Sequence, residues 1–242
     1  MSQMSKMKKR LKINGIIMFL AAVVVVAFPT VFFRIESFNK WDRFAEIFGV
    51  AFILLGQLIR VSARGYKAEN SKEGLALITG GPYSLVRNPM YLGILLIGLG
   101  VVLMLFEWWI VIVFLVIFII RYLSLIFKEE KKLMILFPKD YLIYCKKVTH
   151  RIRPSMRDLL ERDVSEYLPL KIVWFKKEIG SILAVLLITL LVESWEDIRG
   201  MGIRFYLREV TGIFVIILLF VGLVWYLSLR KPRSEEYAAD KR

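Results

Sequence analysis

Two polar stretches of this sequence carry residue types suited to holding a polar ligand against an apolar background. The first is Gly81-Pro82-Tyr83-Ser84-Leu85-Val86-Arg87-Asn88-Pro89-Met90-Tyr91-Leu92-Gly93. The second runs from Glu129-Glu130 through Phe137, Tyr141 and Tyr144 to Arg151-Ile152-Arg153-Pro154. Carboxylates, guanidiniums, phenols and an amide offer both signs of charge and both kinds of hydrogen-bonding partner. The Pro/Gly-rich turn adds backbone N–H groups freed from helix bonding. Missing residue types exclude other chemistries. With Cys145 the only cysteine and His150 the only histidine, an intrachain disulfide is ruled out and a Cys/His zinc or iron–sulfur site has too few ligands. Cys145 reads first as a small buried hydrophobe. His150, among Lys146, Lys147 and Arg151, reads as a surface polar residue rather than a base. No phosphate-binding loop and no strand-anchored glycine fingerprint appear.

The elements that must position these residues are apolar blocks. The chain has 242 residues, is 57% hydrophobic, and has a mean hydropathy of +0.60. A membrane-crossing helix needs about 20 consecutive apolar residues. Six blocks approach that length, at 13–33, 44–62, 90–106, 108–127, 178–192 and 210–229, the fifth being short. The expected fold class is therefore all-α, a polytopic integral membrane protein with about six transmembrane helices. The first block is too long for a signal peptide and is followed by no small-residue cleavage pattern, so a retained helix is expected. Of the 35 Lys and Arg residues, 28 fall in 1–12, 60–89, 128–177 and 230–242. The positive-inside rule then puts both termini and both polar stretches in the cytoplasm. Cytoplasmic loops and anionic headgroups account for the net charge of +14, so no nucleic-acid partner is expected.

Only Glu107, between Phe106 and Trp108, separates the third and fourth blocks. So short a connection makes them an antiparallel hairpin, which brings Met90 and Tyr91 beside Phe127 and Glu129 and so joins the two polar stretches. Gly93, Gly98 and Gly100 allow close backbone approach, to a helix or to a ligand. Residues 129–147 read as an amphipathic helix interrupted at Pro138. Residues 156–177 read as an interfacial linker ending in an aromatic and lysine belt. The organisation expected is N-terminal transmembrane helices over 1–65, a core with the site over 66–155, the linker over 156–177, and a two-helix appendage and tail over 178–242. Simpler roles compete at single residues. Glu129 and Glu130 would suit the N-terminus of an amphipathic helix, and Arg60 and Arg87 would suit snorkelling at helix ends. Arg121, about two turns inside the fourth block, points instead to a substrate or a structural pair.

The ordered pattern Gly-Pro-Tyr-x3-Arg-Asn-Pro-x-Tyr-x-Gly, a short hairpin, then Glu-Glu-x2-Leu-x3-Phe-x3-Tyr-x2-Tyr-x6-Arg resembles the isoprenylcysteine carboxyl methyltransferase family. It is equally close to the wider phospholipid methyltransferase-like group of membrane enzymes. The resemblance covers residues 74–154; residues 1–60 match only as generic helices. It implies S-adenosylmethionine-dependent methyl transfer, with the cofactor on the cytoplasmic side and a lipophilic acceptor entering from the bilayer, first a prenylcysteine-type carboxylate. Cofactor contacts are implied for Leu75, Ala76, Leu77, Ile78, Tyr83, Asn88, Pro89, Met90, Tyr91 and Glu129. Tyrosine rings and oxygens favour a sulfonium, a ribose diol suits Glu129, and a carboxylate suits backbone N–H groups and a nearby Arg. No metal is implied. Arg87 and Glu130 are the catalytic candidates, and Arg121, Tyr141 and Arg151 the substrate-binding ones.

This sequence departs from the family pattern in two places. Asn88 stands where the family usually has histidine, and Leu75 stands near a position where a histidine often precedes the motif. Cofactor contact is expected to survive, histidine-dependent proton transfer to be lost, and a non-catalytic homologue to be allowed. A carboxylate or thiolate acceptor needs no base, whereas a phospholipid amine would have to lose a proton, for which Glu130 is the candidate. Phospholipid and small-thiol acceptors stay open as alternatives. So do an NADPH-dependent sterol-reductase-like enzyme, whose signature is related, and a membrane scaffold. The last two helices could cover the lipid-side entrance or mediate dimerisation. The expected membrane is the plasma membrane in a prokaryote or the endoplasmic reticulum in a eukaryote.

Overall fold

The computed structural model describes residues 24, 27–34, 40–71, 76–154 and 156–200, with positions 211, 215, 218–222, 225 and 226. Most of the first and sixth apolar blocks, and Leu75, lie outside the described residues. Within them the chain forms α1 (Pro29–Phe32), α2 (Lys40–Asn70), a 3-10 turn (Gly81–Ser84), α3 (Pro89–Leu105), α4 (Trp108–Leu136), α5 (Pro138–Lys147), α6 (Met156–Glu161), α7 (Val164–Tyr167) and α8 (Ile172–Gly200). The described residues contain no strand longer than the isolated bridge between Phe33 and Phe106. Two helical spans, Phe44–Asn70 and Trp108–Leu136, are long and apolar enough to cross a membrane.

Glycine sets the register of α2 on α3. Gly56 faces Gly93 so closely that a Cβ on Gly56 would lie 2.6 Å from the Gly93 carbonyl oxygen. One heptad away, a Cβ on Gly49 would lie 2.8 Å from the Gly100 carbonyl oxygen. The two pairs share one antiparallel register and let the backbones touch, as small residues do between apolar helices. Gly98 faces the Phe114 ring of α4. Of the two uses open to Gly93, Gly98 and Gly100, the structure selects helix packing. Val50, Ile53, Leu54, Met104 and Leu105 fill the space around the Gly49–Gly100 end.

The short hairpin forms as its length requires. Phe106 is extended at the end of α3, and Glu107 turns directly into α4. The segment around Phe33 closes this tip: Glu107 N donates to Phe32 O at 3.1 Å, Arg34 N donates to Leu105 O at 3.2 Å, and the Phe33 and Phe106 rings stack at 5.0 Å.

Helix boundaries differ from hydropathy where charge finds a partner. α2 continues to Asn70, eight residues past its apolar block, because its last turns are held by ion pairs. Arg64 and Arg60 meet the buried Glu178 of α8 at 2.6 and 3.6 Å. Glu69 takes Lys171 at 2.6 Å and the Trp174 indole N–H at 2.7 Å. The same contacts start α8 at Ile172, six residues before the fifth block. Arg60 therefore has a carboxylate partner rather than only a headgroup to reach. α4 likewise runs unbroken through Glu129 to Leu136, so the first half of the amphipathic stretch belongs to the hairpin helix. The break falls at Phe137, with Pro138 opening α5 at a position that needs no N–H partner.

Residues 156–177 pack beneath the 3-10 turn. Tyr167, Leu168 and Leu170 join Leu58, Leu85, Val86 and Leu92 in one core cluster. Ser62 Oγ donates to Pro169 O at 2.6 Å, and Arg162 donates to Ser84 Oγ at 2.9 Å. The turn itself needs a glycine: Gly81 has φ of +55°, and a Cβ there would strike the Tyr66 ring.

Candidate functional site

Backbone hydrogen bonds tie the two polar stretches together. Arg87 N donates to His150 O and Asn88 N to Arg151 O, both at 2.9 Å. Tyr144 Oη donates to Tyr83 O at 2.7 Å, locking α5 onto the 3-10 turn. These bonds fix the start of α3, whose first residue is Pro89, against the 148–151 segment. Across the hairpin, Tyr91 Oη donates to Glu129 Oε2 at 3.0 Å, and the Tyr91 ring meets Tyr122 edge-on at 5.4 Å.

The two carboxylates of α4 have different surroundings. Glu130 is buried and held by two guanidiniums: Arg87 Nη1 lies 3.3 Å from Oε1, and Arg151 Nε lies 3.2 Å from Oε2. Arg87 is further fixed by Cys145 Sγ at 3.1 Å and by Thr149 O at 3.1 Å. Arg151 lies over the Phe127 ring at 4.9 Å. Glu129 is far more open, its side chain 40% exposed, with Lys67 Nζ 3.9 Å away. One carboxylate is a locked structural anion and the other faces a ligand-sized space.

That space is a cavity of about 220 Å³ between α2, α3, α4, α5 and the 76–78 segment. Among its walls are Ala76, Leu77, Ile78, Tyr83, Asn88, Pro89, Met90, Tyr91 and Glu129, the sequence-predicted cofactor residues that the structure describes. Arg87, Glu130 and Tyr141 also reach it. Lys67, Ile94, Leu133 and Tyr144 complete the lining. Lys67 and Ile94 went unforeseen. Lys67 belongs to the part of α2 beyond its apolar block, and Ile94 looks like any other apolar residue of α3. The candidates Arg121 and Arg151 are not part of the wall. Arg151 is engaged by Glu130, and Arg121 is exposed on α4, with no partner among the described residues.

A polar atom in this cavity wall waits for a partner. Asn88 is 8% exposed, and its Nδ2 has no hydrogen-bond partner among the described residues. Buried amide donors are rarely left so, and an acceptor atom of a ligand would satisfy it. The phenols are held neutral. Burial, then Glu129 and Tyr91, push the Tyr83 pKa well above the ordinary tyrosine value; burial, then Tyr141 and Tyr83, do the same at Tyr144. At neutral pH these groups act as donors and as polarisable rings, not as bases.

The family model for phospholipid methyltransferases matches residues 17–140, just over half of the chain. The chain belongs to this family. Members are methyltransferases that act on lipophilic substrates, so the methyl-transfer expectation stands in that general form. The match reaches upstream over 17–73, of which 17–60 resembled the family only as generic helices, and stops before Tyr141. No curated protein and no solved structure matches the chain. Within this methyltransferase, the cavity joins the family-matched α2, α3 and α4 to α5, most of which lies past the match.

Proposed function

We propose that this protein is a membrane-embedded, S-adenosylmethionine-dependent methyltransferase whose lipophilic acceptor reaches the cavity from the bilayer. The carrying observation is that both polar stretches line one cavity, with the unpartnered Asn88 amide in its wall. When bound, S-adenosylmethionine supplies an electrophilic methyl group. The residues present suit it: Glu129 can accept from a ribose diol, Tyr91 and Lys67 hold that carboxylate in place, and the Tyr83 and Tyr91 rings favour a cation. Asn88 Nδ2 can donate to a ligand acceptor atom. Two termini and a site on the cytoplasmic side, with about six spans, are part of this proposal and rest on the charge distribution.

For the acceptor we propose an anion, of the prenylcysteine-carboxylate type. Support comes from Glu130. Both its oxygens are engaged by Arg87 and Arg151, so the carboxylate nearest to serving as a base is already committed. An anionic nucleophile needs no proton removed, and positioning in a site shielded from water supplies the rate. A second reading, a phospholipid amine, is favoured by the family match itself. It requires an ammonium proton to leave by a route other than free Glu130.

Calorimetric titration of the purified protein with S-adenosylhomocysteine tests the cofactor assignment. Saturable binding that Glu129→Ala abolishes is the expected result. A folded protein that gives neither heat nor thermal shift would sink it. Labelled methyl transfer to a prenylcysteine analogue, set against phosphatidylethanolamine, then separates the two acceptors.

A further inference from the structure

Arg121 stands apart from the cavity. It is exposed on α4, thirteen residues beyond Trp108, or about 20 Å along the axis, in a helix long and apolar enough to cross a hydrocarbon core of about 30 Å. An arginine at that depth needs an anionic partner or a path to the interface. Lys128 follows one heptad later and Lys132 four residues after that, both exposed. At 3.6 residues per turn, all three project within roughly 20° of one direction. They form a basic stripe from inside the span to the mouth that holds the cavity. Neighbouring carboxylates do not neutralise it: Glu129 is engaged by Tyr91 and Lys67, and Glu130 by Arg87 and Arg151. The flanking exposed residues Ile117 and Leu125 are apolar, suited to acyl chains.

We propose that Arg121, Lys128 and Lys132 form a binding site for the phosphate of an anionic phospholipid in the leaflet on the cavity side. A guanidinium bonds phosphate in bidentate fashion, and the two lysines add point charges nearer the surface. A lipid held there sits on the same helix as Glu129, beside the cavity mouth. The proposal rests on α4 spanning the membrane and not on the identity of the methyl acceptor.

The test is reconstitution into phosphatidylcholine vesicles with and without phosphatidylglycerol, with retained lipid counted by native mass spectrometry after gentle extraction. Wild type should retain phosphatidylglycerol over phosphatidylcholine, Arg121→Gln should reduce retention several-fold, and Arg121→Lys, which keeps the charge but not the bidentate fork, should restore only part of it. Lys139→Gln, a charge change on α5 off the stripe, should have no effect. Equal retention by Arg121→Gln would overturn the site, and an equal loss in Lys139→Gln would reduce it to diffuse charge. Displacement of the lipid by millimolar inorganic phosphate would reassign the stripe to a free anion. A wild-type dimer that Arg121→Gln dissociates would assign it to a second copy of the chain. Wild-type protein that fails to float with vesicles would remove the span itself, an outcome distinct from loss of lipid selectivity.

Discussion

Tyr91 Oη and Glu129 Oε2 lie 3.0 Å apart, so the first turn of α3 holds the one open carboxylate of α4 at the edge of the cavity. The bond is charge-assisted and spans a hairpin whose connection is a single turn. It orients Glu129 without burying it. Removing the hydroxyl should therefore loosen the ligand contact more than the fold. Tyr91→Phe is expected to weaken S-adenosylhomocysteine about three- to tenfold, in line with about 1 kcal/mol for a hydrogen bond, with little change in melting temperature. Glu129→Ala should abolish measurable binding. Calorimetry and thermal denaturation of both variants check the split; equal losses of affinity and stability in Tyr91→Phe would contradict it.

Asn88 gives the converse case. Because its Nδ2 bonds nothing among the described residues, Asn88→Ala should leave thermal stability unchanged or slightly higher. The same change should weaken cofactor binding by about tenfold, the worth of a buried hydrogen bond to a ligand. Asn88→His restores the family's usual residue and should keep binding. A loss of stability in Asn88→Ala without loss of affinity would show that the amide serves the fold.

Glycine substitutions should separate packing from propensity. Gly56→Leu must push α2 off α3 and should prevent folding or lower expression sharply, since the Gly93 carbonyl occupies that space. Gly81→Ala should cost about 1–2 kcal/mol for its left-handed backbone alone, and more for the contact with Tyr66. Gly180→Ala, with nothing within 4 Å of its added methyl, should gain up to about 1 kcal/mol of helix propensity. Thermal melts in detergent would rank the three.

Alkaline pH should act through the cavity phenols. The Tyr83, Tyr141 and Tyr144 pKa values are raised in the folded protein, chiefly by burial. A raised value means the folded state holds the proton more tightly than the unfolded chain. Their contribution is complete below the unfolded tyrosine pKa of about 10 and is lost as pH climbs beyond it. Spectrophotometric titration should show exposed tyrosines ionising first and these three only as the protein unfolds. Reversible ionisation of all ten tyrosines near the ordinary value, with helicity retained, would refute their burial.

Much of the site was legible because its chemistry is written in local spacing. The turn, the Arg87-Asn88-Pro89 segment and the Glu129-Glu130 pair stand at recognisable intervals, and a connection of one residue left an antiparallel hairpin as the solution that joins them. Helix ends were legible only where apolarity ends with the helix. At Arg60, Arg64 and Glu69 the helix continues through charge because Glu178, Lys171 and Trp174 wait far along the chain, and no local pattern announces a partner more than a hundred residues away.

By itself, then, the sequence determined the helical class, the hairpin and the residues able to hold a polar ligand, since hydropathy, turn chemistry and spacing are properties of neighbouring positions. Tertiary structure decided which of two adjacent carboxylates stays open to a ligand. Glu130 meets Arg87 and Arg151, while Glu129 meets Tyr91 and opens to the cavity, a difference that composition and spacing alone do not show. It also decided that Gly93 and Gly100 belong to a helix interface, because their partners Gly56 and Gly49 are paired with them only once α2 and α3 lie antiparallel. Burial and long-range pairing are properties of the packed chain, and they alone separate a locked ion pair from a ligand-binding group.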